Sequence, residues 1–485
     1  MPALYWKGPM TRRTVLLPLL TLLVPAFGQG LQVTSGAAPY QVFQRSAGNT
    51  AAIRVEGTAQ GVAKAVEARI VAKGRALQGF DWKQAGAVQG GRFTAEVASV
   101  PTGGPYRLEL RVAGSQTVTA VDNLLVGDLW VLAGQSNMEG VGNLEDTPLP
   151  SAMVNSFDMT DTWVTAEDPL HRLPDALDSF HWRRRPEKQN ERLTGEALEK
   201  WIAARKKGAG VGLPFALEMV RRTGVPIGLA PCAHGGTSMD QWSPALKDQG
   251  GASLYGGMIR RIKAVGGRVA GVLWYQGESD ASEKAAPLFK QKFIDLINAT
   301  RADAGAADLP FYYVQIGRYI SLGNPEPWNA VQQAQLEVEA ALPNLGMTTC
   351  LDCDLDDGIH VGTDAFPLLA ARMANLAQGK SKRGPRPVSA TLAGNSVLVK
   401  FSEINGHLAH KGRLSGFTIH DAEGKHMEVV YRQRVSPKSP DTVELLFGGK
   451  LPDGARVFYG YGKDPYVNLE DSLRMSCPAF SLPIL

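Results

Sequence analysis

The chain has 485 residues, of which 44% are hydrophobic and 20% charged. This composition excludes a largely disordered chain, a coiled coil and a polytopic membrane protein, and at roughly 150 residues per domain it leaves room for about three domains. The formal net charge is +4, but Lys7, Arg12 and Arg13 lie in the first 28 residues, which hold no acid, so that 48 basic and 47 acidic residues remain. So even a balance gives no argument for a nucleic-acid partner or for an anionic membrane surface.

In chain order, the first feature is a charged start followed by an apolar run over 15–27 and the small residues Ala26 and Gly28 around Phe27. Residues 1–28 read as a secretory signal peptide, too short to span a bilayer, and no Cys follows to anchor a lipid. The expectation is a secreted or periplasmic protein with no membrane anchor after cleavage. Residues 29–122 lack helical periodicity. Short alternating runs such as 51–55 and 106–112, punctuated by Pro101-Thr102-Gly103-Gly104-Pro105, predict a small β-sandwich-like domain.

From 123 to 379 the pattern changes. Continuous apolar strands at 129–133, 227–230, 269–274, 311–316 and 347–351 alternate with helical stretches at 213–223, 254–264, 282–303, 328–342 and 364–377. Repeated β-α-β units with unbroken apolar strands predict a parallel sheet covered on both faces, an α/β domain whose site lies off the carboxyl ends of its strands. Residues 145–210 interrupt the pattern as a charged insertion, either a solvated excursion or a wall of the cleft. Trp163 and His171 are its candidates for lining that cleft. A Lys/Arg/Gly/Pro linker at 380–386 precedes a second small β domain over 387–485.

The four cysteines, Cys232, Cys350, Cys353 and Cys477, read as buried thiols or structural disulfides. A zinc site would need a second close pair. The acids Asp352, Asp354, Asp356 and Asp357 fail the EF-hand spacing, because Gly358 stands one place late and Thr363 occupies the closing position. Neither metal nor cofactor is called for.

Four segments at predicted strand ends carry chemistry. Gly134-Gln135-Ser136-Asn137-Met138 places a serine after a tight turn, either as a helix cap or as an exposed hydroxyl beside free N–H groups. It is not a Gly-x-Ser-x-Gly elbow. Gly235 and Gly236, in Cys232-Ala233-His234-Gly235-Gly236-Thr237-Ser238, let backbone approach a ligand. In Trp274-Tyr275-Gln276-Gly277-Glu278-Ser279-Asp280, Gln276 offers a neutral amide donor for an oxyanion, and Glu278 and Asp280 are either local acceptors or solvated acids. In Asp357-Gly358-Ile359-His360, the histidine suits a general base and the aspartate its orienting partner. One predicted sheet brings all four to one cleft, in the chain order Ser, Asp, His.

These segments resemble the SGNH hydrolase superfamily, and within it the sialate O-acetylesterase and carbohydrate acetylesterase group. The region from Val42 to Asp128 and the end from Tyr459 to Leu485 resemble that group as well. The resemblance implies a flavodoxin-like three-layer α/β/α domain and a metal-free serine esterase that removes O-acetyl groups from carbohydrates. It implies Ser136 as nucleophile, His360 as base and Asp357 as orienting acid. The oxyanion hole would come from the Ser136 N–H, a glycine N–H at Gly235 or Gly236, and the Gln276 amide. Gln135, Asn137 and Glu278 join Trp163 and His171 as candidate substrate contacts. A glycan-binding protein on an esterase fold, or an esterase for another small acyl ester, is the alternative.

Overall fold

The computed structural model describes residues 30–59, 64–182, 191–378 and 383–485. The signal peptide read over 1–28 and part of the linker lie outside the described residues. Among those described, no helix is long and apolar enough to cross a membrane.

Six parallel strands form the centre: β1 (Thr119–Gly134), β2 (Val154–Phe157), β3 (Ile227–Pro231), β4 (Gly271–Tyr275), β5 (Phe311–Gln315) and β6 (Leu345–Thr349). Their spatial order is β2-β3-β1-β4-β5-β6, every neighbouring pair parallel. Without the insertion strand β2, this is the doubly wound flavodoxin-like order. Sequences such as Gly-Val-Leu-Trp-Tyr in β4 are buried at every position because helices cover both faces. Those helices are α1 (Gly212–Thr223), α2 (Leu254–Ala264), α3 (Ala286–Asp303), α4 (Glu326–Ala341) and α5 (Phe366–Ala377). Their ends follow local chemistry. Gly224, with φ of 68°, closes α1. The Ser253 side chain accepts the Gly256 N–H to open α2. Pro287 in the first turn of α3 moves that helix's start past the expected 282.

Apart from Val42–Gln44, which pairs parallel with β1, the amino-terminal strands form one antiparallel sheet with the alternation of a half-buried surface, most clearly in Thr50–Ala59. Thr119 Oγ1 donates to Leu31 O at 2.5 Å, so the two ends of this sheet meet around its own core. β1 belongs to both sheets. Its first half pairs antiparallel with Gly103–Val112, and its second half lies between β3 and β4. The expected boundary at 122–123 therefore falls inside a strand, with no loop to separate the two regions.

The carboxy-terminal region has two four-stranded antiparallel sheets and its own core around Val397, Phe417, Leu445 and Phe480. It is tied to the parallel sheet by paired amides: Gln315 Nε2 donates to Ala479 O and Gln315 Oε1 accepts the Ala479 N–H. The four cysteines are buried thiols.

Candidate active site

β1 is flanked by β3 on one side and β4 on the other, and the strand order reverses there. Open α/β sheets bind ligands at such a point, beyond the carboxyl ends of the strands. The loops after β1, β3 and β4 and the loop after β6 all converge on it.

Gly134 ends β1 with φ of 132°, and a Cβ there would sit 2.1 Å from Tyr275 O, so only glycine fits. The Gln135 N–H donates to that carbonyl, and the chain then turns into one helical turn, Ser136–Glu139. Asn137, Met138 and Glu139 of this turn are buried, whereas Ser136 is partly exposed. The Gln135 carbonyl takes the Met138 and Glu139 N–H groups, and no described acceptor takes the Ser136 N–H. Ser136 therefore carries a partly exposed hydroxyl beside an amide with no described acceptor.

His360 Nε2 lies 3.0 Å from Ser136 Oγ, and His360 Nδ1 lies 2.7 Å from Asp357 Oδ2. Asp357 Oδ1 accepts the backbone N–H groups of Ile359 and His360, which closes the loop on itself. Burial raises the Asp357 pKa, but the His360 side chain and these two amides outweigh it and hold the carboxyl down at about 2. Neighbours pin the loop: Ile320 N–H donates to Gly358 O, and Thr363 donates its hydroxyl to Asp356. The carboxy-terminal region backs this contact, with Tyr319 N–H on Lys463 O and Arg318 on Asp464.

The donors expected for an oxyanion divide into two groups. The Gly235 N–H is taken by Glu139 Oε2 at 2.6 Å. Gln276 is fully buried, and both its N–H groups are committed, to Thr237 O at 3.1 Å and to Asp280 Oδ2 at 2.5 Å. Neither is a free donor: a carboxylate stands beside each, and a charged acceptor wins the bond. The Ser136 and Gly236 amides have no acceptor among the described residues. Gly236 has φ of 69° and nothing within 4 Å of where a Cβ would be, so there is open space beside it.

The expected substrate contacts are also differently placed. Trp163 is buried beside Phe157, Val42, Leu125 and Leu129, because an aromatic ring on the edge strand next to β2 completes that apolar cluster. His171 is 1% exposed and lies against the backbone of Leu132 and Glu139, behind the nucleophile turn. Desolvation lowers its pKa to about 3, aided by Arg261 and Arg205 and opposed by those carbonyls, so its ring is neutral. Gln135 is buried with Oε1 on the Ser279 N–H. Asn137 is buried and bonded to Glu278 and to the residues flanking His360.

Two residues at the site escaped the sequence reading. Glu139 was adjacent to the first motif, and an acid in an otherwise buried turn was the available signal. His181, from the insertion, places Nδ1 at 3.0 Å from His234 Nδ1 with the rings stacked at 5.2 Å, so the insertion reaches the Gly235 loop through this residue.

A hydroxyl in line with an imidazole and a carboxylate, at the switch point of a doubly wound sheet, defines a serine-hydrolase type of site. Residues 126–378, just over half of the chain, match the family described as carbohydrate esterase, sialic acid-specific acetylesterase; the chain belongs to that family and is a carbohydrate esterase. A probable carbohydrate esterase of Arabidopsis thaliana is 28% identical over 277 residues, which span 51% of this chain and 88% of that protein. The crystal structure of a carbohydrate acetylesterase from Xanthomonas citri aligns with 93% of this chain and 99% of its own, with a TM-score of 0.65 and 22% identity, a likeness of fold.

Proposed function

We propose that this protein removes O-acetyl groups from carbohydrates through an acetyl-enzyme, with Ser136 as nucleophile, His360 as general base and Asp357 as its orienting acid. The observation that carries the reading is the unbroken chain from Ser136 Oγ through His360 to Asp357, at 3.0 and 2.7 Å. His360 Nε2 takes the Ser136 proton as Oγ attacks the acetyl carbonyl. The Ser136 and Gly236 N–H groups receive the oxyanion, two preorganised backbone donors that need no reorganisation. His360 then protonates the leaving sugar oxygen. Water, deprotonated by the same nitrogen, attacks the acetyl-enzyme and releases acetate. Asp357 keeps Nδ1 protonated throughout and offsets the charge of the imidazolium. The export signal read over 1–28 suits a glycan met outside the cytoplasm.

The test is acetate release from acetylated xylan, O-acetylated sialic acid and a chromogenic acetate, wild type beside Ser136→Ala. Loss of about 10⁴-fold or more in the variant, with an unchanged fold, is expected for removal of a nucleophile. Full activity in that variant would overturn the assignment. A folded wild type that binds acetylated glycan but releases nothing would instead favour the glycan-binding alternative. The best substrate of the three distinguishes the xylan-type from the sialate-type reading.

A further inference from the structure

Asp357 and His360 belong to one short loop, so their hydrogen bond orients the imidazole within the loop but does not locate the loop over Ser136. Something else must join the base to the nucleophile's own element. Asn137, the residue after Ser136 in the same helical turn, makes that connection. Its Oδ1 accepts the Val361 N–H at 3.0 Å, and its Nδ2 lies 3.4 Å from Ile359 O. These two backbone groups stand immediately on either side of His360. The same Nδ2 donates to Glu278 Oε1 at 2.8 Å, from the turn after β4.

We propose that Asn137 and Glu278 form a brace that sets His360 over Ser136, and that Glu278 acts as a positioning residue through the Asn137 carboxamide. This rests on the reading of Ser136 and His360 as nucleophile and base. A carboxamide has a donating end and an accepting end. The Val361 N–H needs the oxygen, and the acceptor at Glu278 needs the nitrogen, so only one orientation satisfies both. Without Glu278 the amide is held only by the Val361 N–H and by the longer contact to Ile359 O, and its shortest bond is lost. The brace asks only for an acceptor at Oε1. Burial raises the Glu278 pKa against the opposing Asn137 bond, and the second carboxyl oxygen is buried without a hydrogen-bond partner among the described residues. Oε1 can accept from Asn137 Nδ2 as a carboxylate oxygen or as the carbonyl of a protonated acid, and the amide oxygen of glutamine supplies an acceptor at the same place.

The test measures kcat and KM for a chromogenic acetate in wild type, Asn137→Ala, Glu278→Leu, Glu278→Gln and the double variant Asn137→Ala/Glu278→Leu. Displacing the base by about an ångström lowers turnover roughly 100-fold, so Asn137→Ala and Glu278→Leu are expected to lose that much in kcat with KM within about twofold. The double variant should be no worse than the poorer single one, because both changes break one element. Glu278→Gln should recover most of the loss. A raised KM with kcat retained would make these residues substrate contacts and overturn the proposal. So would wild-type kcat in both single variants, or a Glu278→Gln variant as slow as Glu278→Leu. If Asn137→Ala loses cooperative thermal unfolding, the comparison of Leu and Gln at 278 decides alone. A Ser136→Ala variant as active as wild type would instead refute the underlying assignment.

Discussion

Ser136 stands at the end of β1, whose last eleven residues are all buried and whose final residues lie between β3 and β4. His360 stands in a loop where Asp357 and Gly358 are exposed and the Asp357 side chain is 47% exposed. The nucleophile is positioned by close packing, which is dense and intolerant of added volume. The base is positioned by directional hydrogen bonds, from Asp357 within its loop and from Asn137, Ile320 and Thr363 outside it. The two halves of one site should therefore fail in different ways: the serine side to an extra methyl group, the histidine side to a lost polar partner.

Gly235→Ala is the sharpest test of the packed half. A Cβ at 235 would lie 3.0 Å from Glu139 Oε2 and 3.3 Å from Ser136 Cβ, tighter than ordinary contact. Either the Glu139 carboxylate or the nucleophile turn must give way. The expected result is a fall in kcat of about 100-fold with the thermal transition retained. Unchanged kcat would show that the turn has slack and that packing does not set Ser136.

On the polar half, Asp357→Ala removes the acceptor of His360 Nδ1 and of two loop amides, and a fall in kcat of about 10⁴-fold is expected. A loss of only about 10-fold would show that the loop holds His360 in place without the carboxylate.

The smallest effect is read in stability, beneath the nucleophile turn. His171 is held near pKa 3 when folded and is released to about 6.5 on unfolding. Between these values the unfolded chain binds more protons, so stability rises with pH across that window and falls as pH drops below about 6.5. One such group contributes about 2 kcal/mol of the difference between pH 7 and pH 5. His171→Gln should reduce the pH dependence of the unfolding free energy, measured by denaturant titration, by that amount. An unchanged slope would mean that the ring finds a proton acceptor in the folded state.

Much of the architecture was legible because periodicity and punctuation are local. The run Leu129-Trp130-Val131-Leu132-Ala133, too short for a helix and closed by Gly134, reads as a strand buried on both faces, and Gly224 marks the end of α1 without reference to anything distant. The same holds for the site's position. Motifs that follow apolar strands in a β-α-β chain must collect at one edge of the sheet, and the Asp357-to-His360 spacing closes its own hydrogen bond. Trp163 and His171 show the limit. An aromatic and a histidine in a charged insertion are equally compatible with a cleft and with a core, and only their neighbours, Leu125 and Leu129 for one and the Leu132 and Glu139 backbone for the other, settle the matter.

The amino-acid sequence alone determined the doubly wound sheet, the strand ends that bear Ser136, Gly235, Gln276 and His360, and the fact that these ends meet. The tertiary structure decided which polar groups there are free. Gln276 and the Gly235 N–H are spent on Asp280, Thr237 and Glu139, and the Asn137 amide is spent on Glu278, 141 positions away, and on the backbone flanking His360, more than 220 positions away. A hydrogen-bond donor serves one strong acceptor at a time, and which acceptor lies within 3 Å is set by packing between distant segments, a property that no local pattern of residues encodes.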